Sequence, residues 1–410
     1  MEQVAEPANL NKAWKRVRGN RGAPGIDGIT VEAFPRWFAA RKERLLEELL
    51  AGSYCPQPLR RHRLPKPGGG ERLLGIPTVL DRLVQQAILQ VLQPILDPSF
   101  SENSYGFRPN RSAHQAITAA QGYIQEGYSW VVDIDLEAFF ARVNHDRLMS
   151  QLSQRIADKR LRWIIRGFLR AGAMEEGLVS ATTEGTPQGG PRSPLLANFV
   201  LDELDKEIES RGLRQVRYAD DANVYVRSEL AANRAYENLT DFIEGKLKLK
   251  VNRAKSAVGR PWERKFLGFS FTSGPEVKRR VAPKAVEKMK AKVRALTRPG
   301  RFSFLEVIGR LRQYLTGWRT YFGFCQTPTL LRDLDSWIRR RLRALIWRRW
   351  KTCPRRAQEL RKRGVNPNAA RKLAGSSLGP WYLSRMKALQ YAFPVAWFSR
   401  HGLPNLQPSH

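Results

Sequence analysis

The tetrapeptide Tyr218-Ala219-Asp220-Asp221 lies between two short apolar runs, residues 213–217 and 222–226. This pattern predicts a β-hairpin with the two aspartates at its tip. A second acidic strand, Val131-Val132-Asp133-Ile134-Asp135-Leu136, lies upstream. Enzymes that transfer nucleotidyl groups with two metal ions need carboxylates from separate strands. The two segments together indicate a nucleotidyl-transfer enzyme.

The upstream strand offers two candidate ligands, because alternation places Asp133 and Asp135 on the same side. The alternation of side chains along the strand does not decide which of the two aspartates binds the metal. A polymerase that selects deoxynucleotides needs a bulky ring where a 2′-hydroxyl would collide with it, and Phe140 follows Asp135 by five residues. We therefore expect Asp135 to be the ligand and Phe140 the sugar gate, with Asp133 as the alternative. An isolated pair of aspartates would be better explained as an ordinary turn.

The composition predicts a polyanionic partner. The chain has 410 residues, 42% of them hydrophobic, which is enough for two or three compact units. Its 71 Lys and Arg against 38 Asp and Glu give a net charge of +33, which favours nucleic acid. We expect no membrane partner, because no apolar stretch approaches the roughly 20 residues of a spanning helix. A prokaryotic cytoplasmic, nucleoid-associated location is the expectation.

The chain order of elements predicts an α+β fold with helices on one face of an antiparallel sheet. Residues 55–76 predict a hairpin whose Pro-Lys-Pro-Gly-Gly-Gly tip is either a phosphate-contacting flap or a solvated turn. Helices are predicted over residues 31–50, 80–96, 111–124, 145–172, 194–210, 229–249, 283–297, 303–322 and 328–350.

The last of these helices alternates guanidinium groups with apolar anchors. A run of charge is usually a solvated face, but residues 339–350 contain no acid, which favours a track along a phosphate backbone. The residues expected to contact RNA are Arg339, Arg340, Arg341, Arg343 and Arg348. For most of the aromatic residues from Trp381 onwards we expect simple hydrophobic packing.

The three cysteines, Cys55, Cys325 and Cys353, form no CxxC pair. A structural zinc site or a zinc-bearing nuclease domain is therefore not expected.

The chain resembles group II intron reverse transcriptases and maturases over nearly its whole length. The resemblance rests on motifs in the order of that family, which are AWKRVRGNRGAPGIDG, LPKPGGGERLLGIPTVLDRLVQQAI, SYGFRPNRSAHQAI, VVDIDLEAFF, GTPQGGPRSPLLAN, YADD, LKVNRAKS, FLGF, GWRTYFGF and WIRRRLRALIW. Two positions depart from the family's pattern, Arg192 where leucine is common and Ala141 where aspartate is usual.

The resemblance implies a right-hand polymerase fold with fingers, a palm built on an antiparallel sheet, and a helical thumb. It implies an N-terminal extension over residues 1–55, fingers and palm over 56–275, a thumb or maturase domain over 276–354 and a basic segment over 355–410. It also implies the compact class of intron-encoded proteins, which lacks an endonuclease domain.

The same resemblance implies the following site. Asp135, Asp220 and Asp221 would bind two Mg²⁺ ions, with Mn²⁺ as a substitute, and Lys255 would assist the leaving group. Lys66, Arg72, Arg108, Phe140 and Gln188, the last with Gly189 and Gly190, would contact the nucleotide. Phe266, Leu267 and Gly268, continuing to Phe269, would grip the primer.

The implied function is RNA-directed DNA synthesis combined with binding of intron RNA to assist splicing and mobility. The implied partners are an RNA template, intron RNA, a DNA primer or target and dNTPs. Two alternatives remain open, namely a splicing-only RNA-binding maturase and a domesticated relative that serves DNA repair or defence.

Overall fold

The structure, a computed structural model, describes residues 1–65, 71–175, 178–180, 190–191, 193–300 and 302–407. The chain forms two compact units, Met1–Arg260 and Pro261–His410. Within the described ranges, none of the helices combines the length and apolarity needed to cross a membrane. The finer division into four domains stays a prediction.

The first unit combines helices with two four-stranded sheets, as expected for an α+β fold. Its helices are α1 Glu2–Ala5, α2 Pro7–Gly19, α3 Phe34–Ala39, α4 Lys42–Ala51, α5 Val79–Leu96, α6 Ala113–Gln125, α7 Phe139–Arg142, α8 His145–Ser153, α9 Lys159–Arg170, α10 Ser193–Ser210 and α11 Glu229–Asp241. Its strands are β1 Leu59–Pro65, β2 Glu71–Ile76, β3 Trp130–Asp135, β4 Ala173–Glu175, β5 Leu178–Ser180, β6 Arg214–Tyr218, β7 Asp221–Val226 and β8 Ala257–Gly259.

Two predicted helices are each broken in the structure. The helix expected over residues 145–172 is interrupted between α8 and α9, where the Asp158 side chain accepts hydrogen bonds from the amides of Arg160 and Leu161. An aspartate that satisfies free amides starts a new helix rather than continuing an old one. The helix expected over residues 31–50 is likewise divided into α3 and α4.

The first sheet has the strand order β2-β1-β4-β5 and contains the predicted hairpin. Strands β1 and β2 pair in antiparallel fashion from Arg60 opposite Ile76 to Pro65 opposite Glu71. The tip of this hairpin, residues 66–70, lies outside the described residues. The choice between a phosphate-contacting flap and a solvated turn therefore stays open.

The second sheet has the order β6-β7-β3-β8, with every pair antiparallel. One face is apolar and joins the main core through Val132, Ile134, Val224 and Val226. Helices α10 and α11 add buried residues to the same core, such as Leu204. The alternation of strands places the acidic residues of β3 and β7 on the opposite face.

The second unit is a helical bundle with a small hairpin. Its strands are β9 Phe269–Phe271 and β10 Arg279–Val281, and its helices are α12 Pro283–Leu296, α13 Phe304–Phe322, α14 Pro328–Arg349, α15 Cys353–Lys362, α16 Pro367–Ala374, α17 Pro380–Leu383, α18 Lys387–Ala392 and α19 Val395–Arg400. Helices α12 to α14 match the three predicted basic helices. Buried Met289, Leu311 and Leu342 join them in one core.

The terminal aromatic residues divide into two groups. Phe393 and Phe398 are buried in the second core, and Trp397 packs against it, as expected for hydrophobic packing. Trp381, Tyr382 and Tyr391 are exposed instead. The packing prediction is therefore right for the first group and wrong for the second.

Candidate active site

The tetrapeptide forms the tight connection between β6 and β7. Tyr218 pairs with Asp221, which closes the hairpin. Ala219 adopts a left-handed conformation with φ of 58°. Asp220 is exposed at the tip, and Asp221 is the first residue of β7. The predicted hairpin is confirmed, with its two aspartates at the turn.

The register of β3 against β7 brings two acids face to face. Asp135 lies directly opposite Asp221, and Asp133 lies opposite Asn223. Directly opposed residues in an antiparallel pair point to the same face, with Cβ atoms roughly 4.5–5.5 Å apart. Two carboxylates from separate strands therefore meet at the end of the sheet where the hairpin turns.

Tyr225 shares this face of the sheet with Asp221 and Asn223 and is fully buried. Burial raises the pKa of its phenol well above the usual value, and the negative charges of Asp221 and Asp133 raise it further. The acidic face therefore includes, beyond Asn223, a buried phenol whose protonated form is favoured.

The strand end at Asp135 is held by the segment that precedes β8. The Asp135 amide donates to Ser256 Oγ at 2.9 Å, and the amide of Asn252 donates to the Asp135 carbonyl at 2.8 Å. The same segment carries Lys255, whose Nζ lies 3.6 Å from Asp135 Oδ1. The motif LKVNRAKS thus fixes one acidic strand and brings an amine beside its carboxylate.

A buried ion pair supports the hairpin from below. Arg217 and Asp205 of α10 both have fully buried side chains, with Nη2 2.6 Å from Oδ2 and Nε 2.8 Å from Oδ1. Arg217 Nη1 also donates to the Ala219 carbonyl at 2.8 Å and to Asn198 Oδ1 at 3.0 Å. Its Nη2 donates to Ser104 Oγ at 2.8 Å. One guanidinium therefore joins the turn to α10 and to the motif that contains Ser104.

This ion pair was missed at the level of sequence, although the pattern of charge contains a signal for it. Arg217 occupies a position on the core-facing side of β6, where an apolar residue would be usual. Asp205 likewise falls between the buried residues Leu204 and Ile208 of α10. Charged residues at core positions on two neighbouring elements are expected to pair, because an isolated buried charge is costly.

Gly106 presses against the turn. A methyl group on its α-carbon would lie 2.2 Å from the Ala219 amide nitrogen, closer than any real contact. Its carbonyl accepts a hydrogen bond from Asn198 Nδ2 at 2.7 Å. Only glycine allows this approach. The motif SYGFRPNRSAHQAI therefore packs its backbone against the acidic turn.

Arg108, for which a nucleotide contact is predicted, is engaged within the protein, and the predicted role stays a prediction. Its side chain is buried, and Nε and Nη2 bind the carboxylate of Asp97 at 3.0 and 3.3 Å. Its remaining donors bind the carbonyls of Asp97, Ser101 and Ser104. Arg108 therefore organises its own loop, because its donors are already engaged within the protein.

Phe140 lies in α7, directly after the acidic strand. Ala138 precedes it with φ of 51°, which turns the chain sharply at the end of β3. The Phe140 ring is half-buried and meets buried Phe139 edge to face, with centroids 5.2 Å apart. The ring also packs against the main core of the first unit.

Several predicted nucleotide contacts cannot be placed. Lys66, Gln188, Gly189 and Arg192 lie outside the described residues, and of Arg72 only the backbone is described, opposite Leu64 in the β1–β2 hairpin. Gly190 is buried against Gln85. These nucleotide-contact roles stay predictions.

The predicted primer grip is a tight turn in the second unit. Phe266 and Phe269 exchange backbone hydrogen bonds of 2.9 Å each way, and Leu267 and Gly268 both have positive φ, 51° and 80°. Two consecutive positive φ values are typical of a type I′ turn. The Leu267 carbonyl accepts a hydrogen bond from the Tyr321 hydroxyl at 2.8 Å. The turn is thereby tied to α13.

The arginines of α14 differ in what they can contact. Arg343 is buried and donates to the Phe393 carbonyl at 3.1 and 2.8 Å. Its pKa falls to about 10 because of this burial. Arg343 therefore holds the C-terminal segment, and its predicted contact with RNA stays a prediction.

The other four predicted arginines keep some exposure. Arg348 is exposed, whereas Arg339, Arg340 and Arg341 are half-buried. Arg340 stacks over the Trp381 ring at 3.8 Å, and Arg341 Nε donates to Thr297 Oγ1 at 3.0 Å. Arg348 and Arg341 line one cleft together with Trp381. These residues retain the capacity for a nucleic-acid contact.

The candidate metal ligands are the carboxylates at the acidic face of the sheet. Among the residues that the structure describes, no group of three or more His, Cys, Asp or Glu side chains is already close enough to hold an ion. The donor set nevertheless fits a hard cation, because Asp135 and Asp221 are opposed carboxylates and Asp220 is adjacent.

Comparisons with known proteins agree with this geometry. Residues 64–271 match the family described as Reverse transcriptase (RNA-dependent DNA polymerase), and residues 286–364 match Group II intron, maturase-specific domain. The first match contains the acidic strand, the hairpin and the predicted primer grip.

The chain is also similar to individual proteins. Protein YkfC of Escherichia coli (strain K12) is 34% identical over 295 residues, which cover 62% of this chain and 77% of that protein. Group II intron-encoded protein LtrA of Lactococcus lactis subsp. cremoris is 36% identical over 195 residues, covering 47% of this chain and 32% of that protein. A solved telomerase from Candida albicans aligns over 88% of this chain and 66% of that chain, with 11% identity and a TM-score of 0.49.

Three observations lead to one conclusion. They are the sheet with two opposed aspartates, the acidic hairpin held by Arg217, and a family match over half of the sequence. The chain belongs to the reverse transcriptase (RNA-dependent DNA polymerase) family, has that family's right-hand polymerase fold, and carries a group II intron maturase-specific domain.

Proposed function

We propose that this chain copies RNA into DNA at the acidic face of the β6-β7-β3-β8 sheet, with Asp135, Asp220 and Asp221 as metal ligands. The observation that carries the proposal is the register of Asp135 opposite Asp221. Asp133 is the poorer candidate, because its partner across the strands is Asn223. Mg²⁺ fits these hard oxygen donors, and Mn²⁺ is the expected substitute.

Bound at these carboxylates, two Mg²⁺ ions would supply Lewis-acid stabilisation of the charge that develops during phosphoryl transfer. The residues of the chain would position the metal ions and the reacting groups. Asp135 and Asp221 orient the site from two strands, and Arg217 keeps the intervening turn in place. Lys255 is proposed to leave its contact with Asp135 and to assist the departing pyrophosphate.

Nucleotide selection is proposed to depend on Phe140. Its ring packs against Phe139 and the core, which supports its role as a steric barrier. A dNTP would pass this barrier, and a ribonucleotide would collide with the ring through its 2′-hydroxyl. A DNA primer end is proposed to rest on the turn formed by Phe266, Leu267 and Gly268.

Binding of intron RNA to assist splicing is the second part of the proposal. It is supported by the maturase-specific match over residues 286–364 and by the exposed cations of α14, above all Arg348. Such contacts attract phosphates through charge, and the chain's net charge of +33 is consistent with that role. Association with the nucleoid is proposed on the same electrostatic grounds.

Primer extension on an RNA template tests the catalytic part. We expect Asp220→Ala and Asp221→Asn to abolish dNTP incorporation in Mg²⁺ while RNA affinity stays nearly unchanged, since affinity rests on many distributed phosphate contacts. Asp133→Asn is the matched control and should retain most of the activity. The wild-type chain should also lose activity in a chelator and regain it when Mg²⁺ is restored.

Two outcomes would overturn parts of this proposal. No incorporation by the wild-type chain would favour the splicing-only alternative, in which the protein only binds RNA. Equal losses for Asp133→Asn and Asp135→Asn would remove the distinction between the two aspartates.

A further inference from the structure

Helix α9 presents a basic and aromatic outer stripe that the polymerase site does not use. Lys159, Arg162, Trp163 and Arg166 follow the spacing i, i+3, i+4 and i+7, which places them on one side of the helix. The opposite side is buried through Leu161, Ile164, Ile165, Phe168 and Leu169. The helix is therefore fixed in the core by one face and free to bind with the other.

Trp163 is the unusual member of this stripe. Its side chain is 64% exposed, although an indole ring is among the most costly groups to leave in water. No aromatic ring or cation of the described residues stacks on it. A solvated helix face would need no aromatic residue here, so a ligand for the ring is the better explanation.

The stripe forms one wall of a cleft of about 360 Å³. The other wall comes from α8, with Met149, Ser150 and Asp146. Asp146 is the only acid among the described lining residues, and it pairs with Arg166 at 2.8 Å. Lys159 and Arg162 therefore give the cleft an excess of positive charge.

Two guanidinium donors of the cleft are buried without an acceptor. These are the Nε atoms of Arg162 and Arg166, and neither has a hydrogen-bond partner within the described part of the chain. Both Nε atoms are closed to solvent, so a ligand in the cleft meets only the outer parts of these side chains. The exposed indole of Trp163 beside the cations Lys159 and Arg162 matches a base next to a phosphate.

We propose that this cleft binds single-stranded RNA, with one base stacked on Trp163 and the adjoining phosphates on Arg162 and Lys159. Stacking on an aromatic ring combined with cationic phosphate contacts is how proteins hold single strands without reading their sequence. RNA is chosen over single-stranded DNA because the chain's family takes RNA as its template strand. The site uses residues other than those of the active site.

Photocross-linking of the full chain tests the position of the RNA. A short oligouridylate containing 4-thiouridine is irradiated with the protein, and the modified peptides are identified by mass spectrometry. We expect a cross-link in the peptide Trp163–Arg166, and we expect Lys159→Gln combined with Arg162→Gln to reduce its yield. Unlabelled RNA should compete for the cross-link. A result with no cross-link in this peptide, or equal competition by the same DNA sequence, would overturn the proposal.

Binding of the same RNA tests the contribution of the ring. Trp163→Ala should weaken affinity about tenfold, and Trp163→Phe should restore most of it, because stacking of one base on an aromatic ring has an effect of this order. Leu230→Ala is the matched control, since Leu230 is 62% exposed and lies on α11. Unchanged affinity for Trp163→Ala would overturn the proposal.

Primer extension by the same variants separates this proposal from that of the active site. We expect Trp163→Ala to extend a saturating primer–template as well as the wild type does, which also shows that the variant folds. Loss of incorporation in the wild type would count against the polymerase proposal and leave the cleft unaffected.

Discussion

The guanidinium of Arg217 is predicted to hold the acidic turn in its working position. In Arg217→Ala, five hydrogen bonds disappear at once, two to Asp205 and one each to Asn198, Ala219 and Ser104. The Asp205 carboxylate is then buried without a partner, because both side chains are fully inaccessible in the native protein.

The magnitude follows from that burial. Removing one partner of a buried ion pair costs roughly 3–5 kcal/mol, whereas a typical domain has a total stability of about 5–15 kcal/mol. Arg217→Ala is therefore expected to weaken the first unit severely. Its loss of activity alone would not separate folding from positioning, so a second variant is needed.

The second variant replaces both partners, as Asp205→Leu with Arg217→Met. Replacing a buried pair by apolar side chains is often neutral or stabilising, so most of the stability should return. The Ala219 carbonyl still loses the Arg217 donor in this variant. The turn between the two acidic strands should therefore stay misplaced, and a displacement of about 1 Å near reacting groups costs roughly 100-fold in rate.

Hydrogen exchange followed by mass spectrometry and single-nucleotide primer extension measure the two effects. In Arg217→Ala, amides of β6, β7 and α10 should exchange faster, while peptides of α13 provide an internal control. In the double variant, exchange should approach that of the wild type, but kcat should stay low. Arg234→Ala, an exposed change on α11, should alter neither measurement.

Two results would refute this expectation. Wild-type exchange rates in Arg217→Ala would show that the pair does not stabilise the hairpin. Full activity in the double variant would show that the contact between Arg217 and the Ala219 carbonyl does not position the acids.

Three further changes test other contacts. Gly106→Ala should reduce primer extension at least about tenfold, because its new methyl group meets the Ala219 amide and must displace the turn; Gly122→Ala in α6 has open space and should be tolerated. Phe140→Ala should admit ribonucleotides, measured as the ratio of kcat/KM for rNTP and dNTP, and an unchanged ratio would point to another gate. Asp81, buried and hydrogen-bonded to the Tyr54 hydroxyl, has its pKa raised by burial from 3.8 to about 6. The native state then binds this proton more tightly than the unfolded state, so stability should fall by about 2 kcal/mol as the pH rises from 4 to 6; urea titrations should show that Asp81→Asn removes this slope.

The sequence predicted the parts of the site that depend on local pattern. Alternation along β3 and the paired aspartates of the hairpin were sufficient to expect that two acidic strands meet, and the structure opposes Asp135 and Asp221. Helices with strong periodicity, such as α12 to α14, were also found where predicted. Breaks were missed where one side chain decides them, as Asp158 does before α9.

Roles that depend on distant contacts could not be predicted. Arg108 and Arg343 occupy motifs that suggest a ligand, but whether an arginine faces solvent or a buried carbonyl is settled by tertiary packing. The partnership of Arg217 with Asp205 likewise joins a strand to a helix, and neither position alone identifies the other. The periodicity of the sequence indicates that a charged residue is buried, but it does not identify the residue with which that charge pairs.

The anchoring of Leu267 to Tyr321 gives α13 a mechanical role. The turn at Leu267 and Gly268 is tied to the helix by a hydroxyl hydrogen bond, and Gly268 also packs on the ring of Phe322. The turn therefore contacts α13 through both a hydrogen bond and close packing. A shift or tilt of α13 would therefore move the turn by a similar amount. A ligand that binds the helical bundle and displaces α13 would thus also change the position of the turn.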